Sequence, residues 1–142
     1  MSRISLDQTN RIIAAAFDKA RDLALKPLTV SVLDAGGHAI AMQRQDGAST
    51  LRPQIACGKA GGALALGMSS RKIADIAAER PSFVASLGLI SPLGMIPAAG
   101  GVLVIDGDGQ VIGAVGVTGD TSDNDEACAL AGIAAAGLQA QG

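Results

Sequence analysis

Lys59 is the side chain whose setting is most unusual for its chemistry. It lies within Cys57–Gly62, a stretch containing three glycines in the interior of a predicted helix. Each such glycine costs about 1 kcal/mol relative to alanine, which is tolerated where another backbone or a ligand comes very close. Lys59 therefore either reaches water from a small-residue helix interface, or lies in a pocket. In a pocket its ammonium would bind a carboxylate, act as a base or form a Schiff base.

Two arginines and an aspartate flank the same region. Arg44 is suited to bidentate recognition of a carboxylate, so Arg44 with Lys59 would make an anion clamp. The alternative is a solvated loop in which Arg44 and Asp46 form a surface pair, with Arg52 close by in the sequence. Judged on charge alone, the solvated loop is favoured.

A short acidic run, Asp123–Glu126, leads into an alanine-rich helix. Asp123 is expected to be the N-cap, with Glu126 at the third helical position, and acidic residues suit the positive end of a helix. Alternatively, a carboxylate of Asp125 or Glu126 points into a cleft as a general base. The spacing favours capping.

His38 is the only histidine and follows the glycine turn Asp34–Gly37, a position at which a lone histidine is usually an exposed surface group. Without a second histidine or a Cys-x-x-Cys pair, no zinc site is predicted, and no nucleophile elbow supports a Ser-His-Asp triad. His38 is the conventional candidate for a haem axial ligand. Other candidates of suitable chemistry are Met42, Met68, Met95, Cys57 and Cys128. Only two phenylalanines, and no tryptophan or tyrosine, are present to stack on a porphyrin, so aliphatic walls would have to hold it.

Two glycine-containing segments lie in the last third of the chain. Gly100 and Gly101 begin a predicted strand. They either mark the end of the preceding loop or present their backbone N–H groups to an anion. Asp106–Gly109 separates two apolar runs and predicts a hairpin turn. It lacks the spacing and closing glutamate of an EF-hand, so calcium is not predicted.

Bulk properties predict one domain over residues 1–142. The net charge of −2, and the absence of a basic stripe, argue against nucleic acid as a partner. The N-terminus lacks the apolar segment of a signal peptide, and the uncharged stretch 81–105 has too many prolines and glycines for a membrane helix. A cytoplasmic location with free thiols is expected. A mean hydropathy of +0.37 suggests that other subunits cover part of the surface.

The elements expected to position these residues alternate between helices and hairpins. A capping box at Ser5 and Gln8 opens the first helix, which is expected to run to about Leu25. The remaining predicted elements are strands Leu28–Leu33 and His38–Gln43, helices Leu51–Leu66, Lys72–Glu79 and Ser82–Leu87, a hairpin over Gly100–Thr118 and a helix Asn124–Leu138. This order predicts an α+β fold, with helices packed on a mainly antiparallel sheet.

The chain resembles the GlcG/HbpS family over nearly its whole length. The segments that carry the resemblance are Val32–His38, Arg44–Ala48, Lys59–Ala60, Gly100–Gly101, Gly113–Gly119 and Asp125–Ala129. The resemblance implies a profilin-like sandwich around an antiparallel sheet of about five strands, assembled as a homo-oligomer. It also implies that Arg44, Asp46, Lys59 and Asp125 are site residues, and it raises Lys59 and Asp125 above the structural alternative.

Three functions are compatible with these sequence features. The first is a small-ligand binding protein that holds haem or another bulky cofactor in an apolar pocket between the second helix and the sheet. The second is a cofactor-free isomerase, hydratase or deaminase acting on a small organic acid or an aromatic breakdown product, since members of the resembling family are encoded beside such catabolic genes. In that enzyme Arg44 and Lys59 would hold a carboxylate, and Asp125 or Glu126 would move the proton. The third is a structural partner in a larger complex. Binding is favoured over the enzyme.

Overall fold

A computed structural model describes residues 2–141 of the chain. Its elements in chain order are α1 (Leu6–Asp22), β1 (Thr29–Asp34), β2 (Ala39–Arg44), α2 (Arg52–Leu66), α3 (Ser70–Glu79), α4 (Pro81–Leu87), β3 (Gly101–Ile105), β4 (Val111–Thr118), α5 (Ser122–Ala135) and β5 (Gln139–Gln141). The five strands form one antiparallel sheet in the order β2-β1-β4-β3-β5. The predicted α+β class and the five-stranded antiparallel sheet are confirmed.

The sheet separates two unequal hydrophobic layers. Alternate valines of the central strands, such as Val30 and Val117, face α1 and α5 and form the main core with Ile12 and Ile133. The opposite face carries a smaller cluster in which Leu33 and Leu103 pack against Ala60 of α2. Residues one position apart in a strand point to opposite faces, so this alternation assigns each strand residue to one layer.

The β1–β2 turn and the β3–β4 turn are stabilised by the same pattern of hydrogen bonds. Asp34 begins the β1–β2 turn, and its Oδ1 accepts hydrogen bonds of 2.9 Å from the backbone N–H groups of Gly36 and His38. Asp106 does the same in the β3–β4 turn, accepting from Asp108 at 2.9 Å and from Gln110 at 3.0 Å. These bonds lower the pKa of both carboxyl groups. The hairpin predicted at Asp106–Gly109 is confirmed, and Gln110 stands where His38 stands in the first turn.

Sequence periodicity located the elements well and their ends less well. The capping box at Ser5 and Gln8 is present, but α1 ends at Asp22 rather than near Leu25. The N-cap of α5 is Thr121, whose hydroxyl accepts from Asn124 N–H, so the prediction of Asp123 as N-cap is wrong. The three-residue β5 was missed, because its pairing with β3 comes from a strand distant in sequence.

The helices approach the sheet closely because glycines remove side chains at the contacts. A Cβ atom placed on Gly116 of β4 would lie 2.0 Å from the carbonyl oxygen of Ala56 in α2. On the other side of the sheet, a Cβ atom on Gly132 of α5 would lie 2.5 Å from the carbonyl oxygen of Ile12 in α1. Both neighbours are backbone atoms, which cannot rotate away. These distances explain why a core of small residues still packs densely.

We expect Gly116→Ala to destabilise the fold by about 3 kcal/mol, because the added methyl group must push the backbone of α2 away from the sheet. Gly107→Ala is the matched control, since a Cβ atom at Gly107 meets nothing within 4 Å. The control is expected to change stability by less than about 0.5 kcal/mol. Urea unfolding followed by circular dichroism measures both, and equal stability of the two variants would contradict this account of the packing.

Candidate functional site

The glycines of α2 receive a segment of the same chain. A Cβ atom on Gly58 would lie 2.6 Å from Ile96 Cγ1, and one on Gly61 would lie 2.6 Å from Leu93 Cβ. A Cβ atom on Gly62 would lie 3.0 Å from Met95 Sδ. These helix glycines therefore accommodate the Leu93–Ile96 segment directly on the surface of α2, as the small-residue interface interpretation predicted. The other half of that interpretation is wrong, because Lys59 is buried and does not reach water.

This contact leaves a cavity beside the β1–β2 turn. The expected position between α2 and the sheet is wrong, because α2 lies directly on Gly116 of β4 and no strand residue lines this cavity. The cavity has a volume of about 390 Å³ and is partly open to solvent. Its lining combines the turn, α2 and the long connection before β3, and consists of Ala35, Gly36, Gly37, His38, Gly61, Leu64, Ala65, Pro92 and Leu93. His38 is the only titratable side chain in that lining. Its imidazole therefore supplies the only side-chain nitrogen atoms among small and aliphatic groups.

The imidazole of His38 is held against its own turn. Its Nδ1 lies 3.2 Å from Asp34 Oδ1, and the side chain as a whole is 81 % exposed. A Cβ atom on Gly36 would lie 2.9 Å from His38 Cε1 and 3.0 Å from Nδ1, so the ring occupies the space that any larger residue at position 36 would need. Within residues 2–141, no protein group forms a hydrogen bond with His38 Nε2.

Lys59 and Asp125 form a buried ion pair away from this cavity. Lys59 Nζ donates to Asp125 Oδ2 at 3.1 Å and to the carbonyl oxygen of Val117 at 2.9 Å, and the two charged side chains are 3 % and 2 % exposed. Asp125 Oδ1 accepts from the backbone N–H of Asp120 at 2.9 Å. Burial lowers the pKa of the Lys59 ammonium, while the attraction of Asp125 opposes that shift. The pair joins α2 to α5 at the end of β4.

The glycine pair Gly100 and Gly101 packs against this ion pair. Gly100 has φ of +127°, and a Cβ atom there would lie 2.5 Å from the Val117 carbonyl oxygen and 2.9 Å from Lys59 Nζ. A Cβ atom on Gly101 would lie 2.2 Å from the Lys59 carbonyl oxygen. The N–H of Gly101 donates to Ser70 Oγ at 2.7 Å. Both glycines thus have a packing requirement, and Gly101 has a protein partner for its N–H.

The structure does not unite Arg44 with Lys59. Arg44 is the last residue of β2 and is exposed, as is Asp46 in the following loop, and no ion pair joins the two among the described residues. Both line a shallow polar cavity of about 500 Å³ with Gln43, Gln45 and Phe17. The arginine that does reach towards Lys59 is Arg52, which donates to Thr118 Oγ1 at 2.8 Å and lowers the pKa of Lys59 through charge repulsion.

Glu126 also lies apart from the buried pair. Arg71 of α3 donates to both carboxylate oxygens of Glu126 at 3.0 Å, and to Asp123. The arginine side chain is 46 % exposed. These surface contacts engage the two acidic residues that were expected to cap α5, and they tie α3 to the start of α5.

The other candidate haem ligands are scattered. Met42 is 44 % exposed on β2, Met95 packs on Gly62, and Cys128 is fully buried, where burial raises its pKa to about 11. Cys57 and Cys128 are free thiols, as predicted. Over residues 2–141, no group of three histidine, cysteine, aspartate or glutamate side chains is arranged to hold a metal ion.

Sequence reasoning missed the apolar part of the cavity. Leu64, Pro92 and Leu93 were not singled out, because nothing local distinguishes them from other aliphatic residues. The available signal was the glycine spacing in α2, which indicates a close neighbour but does not say which segment supplies it. The connection before β3 supplies that neighbour through Leu93, Met95 and Ile96.

Comparison with known proteins places the chain in a family. A family model described as haem degrading protein HbpS-like matches residues 4–134. The chain belongs to the HbpS-like family. In the part that the structure describes, no helix is both long and apolar enough to cross a membrane.

Individual relatives agree with this assignment. An uncharacterised 15.0 kDa protein from the dhaT-dhaS intergenic region of Citrobacter freundii is 33 % identical over 125 residues, covering 88 % of this chain and 86 % of that protein. The crystal structure of HbpS has a TM-score of 0.80 at 27 % identity, covering 94 % of this chain and 90 % of that one. The crystal structure of a PduOC–haem complex has a TM-score of 0.87 at 24 % identity, covering 99 % and 100 %, which shows the shared fold.

We expect Lys59→Met and Asp125→Asn each to destabilise the protein by about 3 kcal/mol, because each leaves a buried partner uncompensated. The double variant should lose less than the sum of the two single losses. The surface pair Arg71–Glu126 is the control, and Arg71→Ala is expected to cost at most about 1 kcal/mol. Urea unfolding of the four variants measures these effects, and strict additivity at the buried pair would contradict a direct interaction.

Proposed function

We propose that this protein binds haem, or a closely related bulky cofactor, in the cavity between α2, the β1–β2 turn and the Pro92–Leu93 connection. The observation that carries the proposal is the position of His38, the only histidine of the chain, on the rim of an otherwise apolar cavity. An imidazole at an apolar wall is the combination with which proteins hold haem iron.

The residues present fit such a ligand. Leu64, Pro92 and Leu93 supply the aliphatic wall, and Gly36, which has no side chain, leaves room for the ring of His38. His38 would ligate the iron through its imidazole, and a bound haem would supply redox or ligand-binding chemistry at that iron. The comparisons support the proposal, because the family is described as haem degrading and one related structure is a haem complex.

The enzymatic alternative has less support from the geometry. Lys59 is 3 % exposed and donates to Asp125 and to a backbone carbonyl, so its ammonium is engaged within the protein. Lys59 and Asp125 line neither of the two cavities described above. They are also absent from the lining of a third cavity, of about 550 Å³, which lies near Ser5 and Gln8 of the N-terminal segment. Arg44 and Glu126, the other members of the proposed clamp and proton relay, lie elsewhere. We therefore assign the Lys59–Asp125 pair a structural role.

The test is a titration of the purified protein with hemin, following the Soret band. We expect a saturable shift at about one haem per chain, which His38→Ala abolishes because it removes the axial nitrogen. Met42→Ala is the control, since Met42 is an exposed candidate ligand outside the cavity. A shift that does not saturate, or that survives in His38→Ala, would overturn the assignment of His38. Light scattering on the same samples counts the chains per particle and tests the expected homo-oligomer.

A second variant tests the cavity rather than the ligand. Ala65 is an exposed residue of α2 in the cavity lining, and Ala65→Trp is expected to obstruct haem entry while leaving the core intact. Ala134→Trp is the matched control, because Ala134 is an exposed alanine of α5, a helix packed on the opposite face of the sheet. We expect hemin affinity to fall by roughly tenfold or more in Ala65→Trp alone, as a steric block of the pocket requires. Equal affinity in the two variants would place the ligand elsewhere.

A further inference from the structure

The β1–β2 turn does more than reverse the chain. We propose that Asp34 is a positioning residue which holds the proton of neutral His38 on Nδ1 and thereby directs the lone pair of Nε2 outwards as the donor for a metal. The inference rests on the proposed function in one respect only, namely that the metal is the iron of haem. Which ring nitrogen of His38 carries the proton is a property of the protein without ligand.

The first support is the geometry of the carboxylate. Asp34 Oδ1 lies 3.2 Å from His38 Nδ1 and also accepts the backbone N–H groups of Gly36 and His38 at 2.9 Å. Those two backbone bonds fix the carboxylate in place beside the imidazole ring. A fixed anion beside one ring nitrogen favours the tautomer that carries the proton on that nitrogen.

The second support is the placement of the ring. Its Cε1 and Nδ1 edge lies where a Cβ atom of Gly36 would be, at 2.9 and 3.0 Å, so the imidazole is in contact with the turn on that edge. The two ring nitrogens point in divergent directions, so Nε2 faces away from Asp34. It has no hydrogen-bond partner among residues 2–141, while His38 itself lines the apolar cavity.

The third support is what such an arrangement does for a metal ligand. Histidines that ligate metals usually donate the other ring N–H to a carboxylate or carbonyl, which fixes the tautomer and increases the basicity of the ligating nitrogen. Neutral histidine in water instead prefers its proton on Nε2, which would leave no lone pair for iron at that atom. Asp34 therefore prepares His38 before any ligand arrives.

The chain contains its own control for this arrangement. Asp106 makes the same two backbone bonds in the β3–β4 turn, but the residue in the position of His38 is Gln110. Asparagine retains a side-chain oxygen that can accept the backbone N–H bonds of such a turn, but it has no charge. Asp34→Asn and Asp106→Asn thus make the same change in two like turns, only one of which bears a histidine.

The experiment is a long-range ¹H–¹⁵N correlation spectrum of the ligand-free protein, in which a single histidine gives an unambiguous signal. We expect wild-type His38 to be mainly the Nδ1–H tautomer, Asp34→Asn to shift it towards the Nε2–H tautomer, and Asp106→Asn to leave it unchanged. A wild-type spectrum dominated by the Nε2–H tautomer would overturn the inference, even if Asp34→Asn failed to fold. So would a tautomer ratio that Asp34→Asn does not change.

A second readout links the tautomer to haem. Asp34→Asn is expected to weaken hemin binding roughly 10- to 100-fold, as loss of an outer carboxylate commonly does, and to raise the reduction potential of the bound iron, whereas Asp106→Asn changes neither. Equal affinity and potential in wild type and Asp34→Asn would overturn the role of Asp34 towards the metal. If wild type shows the Nδ1–H tautomer but does not bind hemin, the haem proposal fails while the positioning of His38 by Asp34 is supported.

Discussion

The close approach of α2 to the sheet is the constraint on which the rest of this structure depends. The distance from Gly116 to the Ala56 carbonyl oxygen leaves no room for a side chain. With aromatic residues at only 1 % of the chain, the protein cannot fill its core with bulky rings, so it brings backbones together instead. That approach places the carbonyl of Lys59 against Gly101 and its ammonium beside Gly100. It also presents the outer glycines of α2 to the Leu93–Ile96 segment.

This arrangement produces two separate polar regions, the Lys59–Asp125 ion pair and the surroundings of His38, and their environments differ. The Lys59–Asp125 pair is enclosed, has protein partners on both sides, and connects elements on opposite faces of the sheet. A buried ion pair of this type contributes little net stability compared with an apolar contact. Removing one partner is nevertheless strongly destabilising, because the other charge is then left buried and unpaired, so the pair favours one packing of α2 against α5. His38, in contrast, is exposed at the edge of an apolar cavity, and its Nε2 has no hydrogen-bond partner within residues 2–141. The first region joins α2 to α5, and the second is the one that we propose as the ligand site.

Sequence patterns located most of the fold. Helical periodicity and the Ser5–Gln8 capping box predicted α1, and Asp-Gly spacing predicted the β3–β4 hairpin, because both signals are local. The start of α5 was misplaced by the same kind of local argument. Asp123 has the chemistry of an N-cap, yet Arg71 from α3 binds it, while Thr121 is the residue whose hydroxyl meets the helix. Competition from a residue 52 positions away cannot be read from a four-residue pattern.

By itself, the sequence determined the α+β class, the two Asp-initiated turns and the presence of chemically able residues at His38, Lys59 and Asp125. It did so because periodicity, turn chemistry and residue type act over a few positions. Only the tertiary structure decided that Lys59 and Asp125 meet, that Arg44 lies apart from them, and that Leu93 and His38 border one cavity. Those outcomes depend on how two helices and a long connection pack on a common sheet. Contacts between distant segments are set by the sum of many weak interactions rather than by any local pattern.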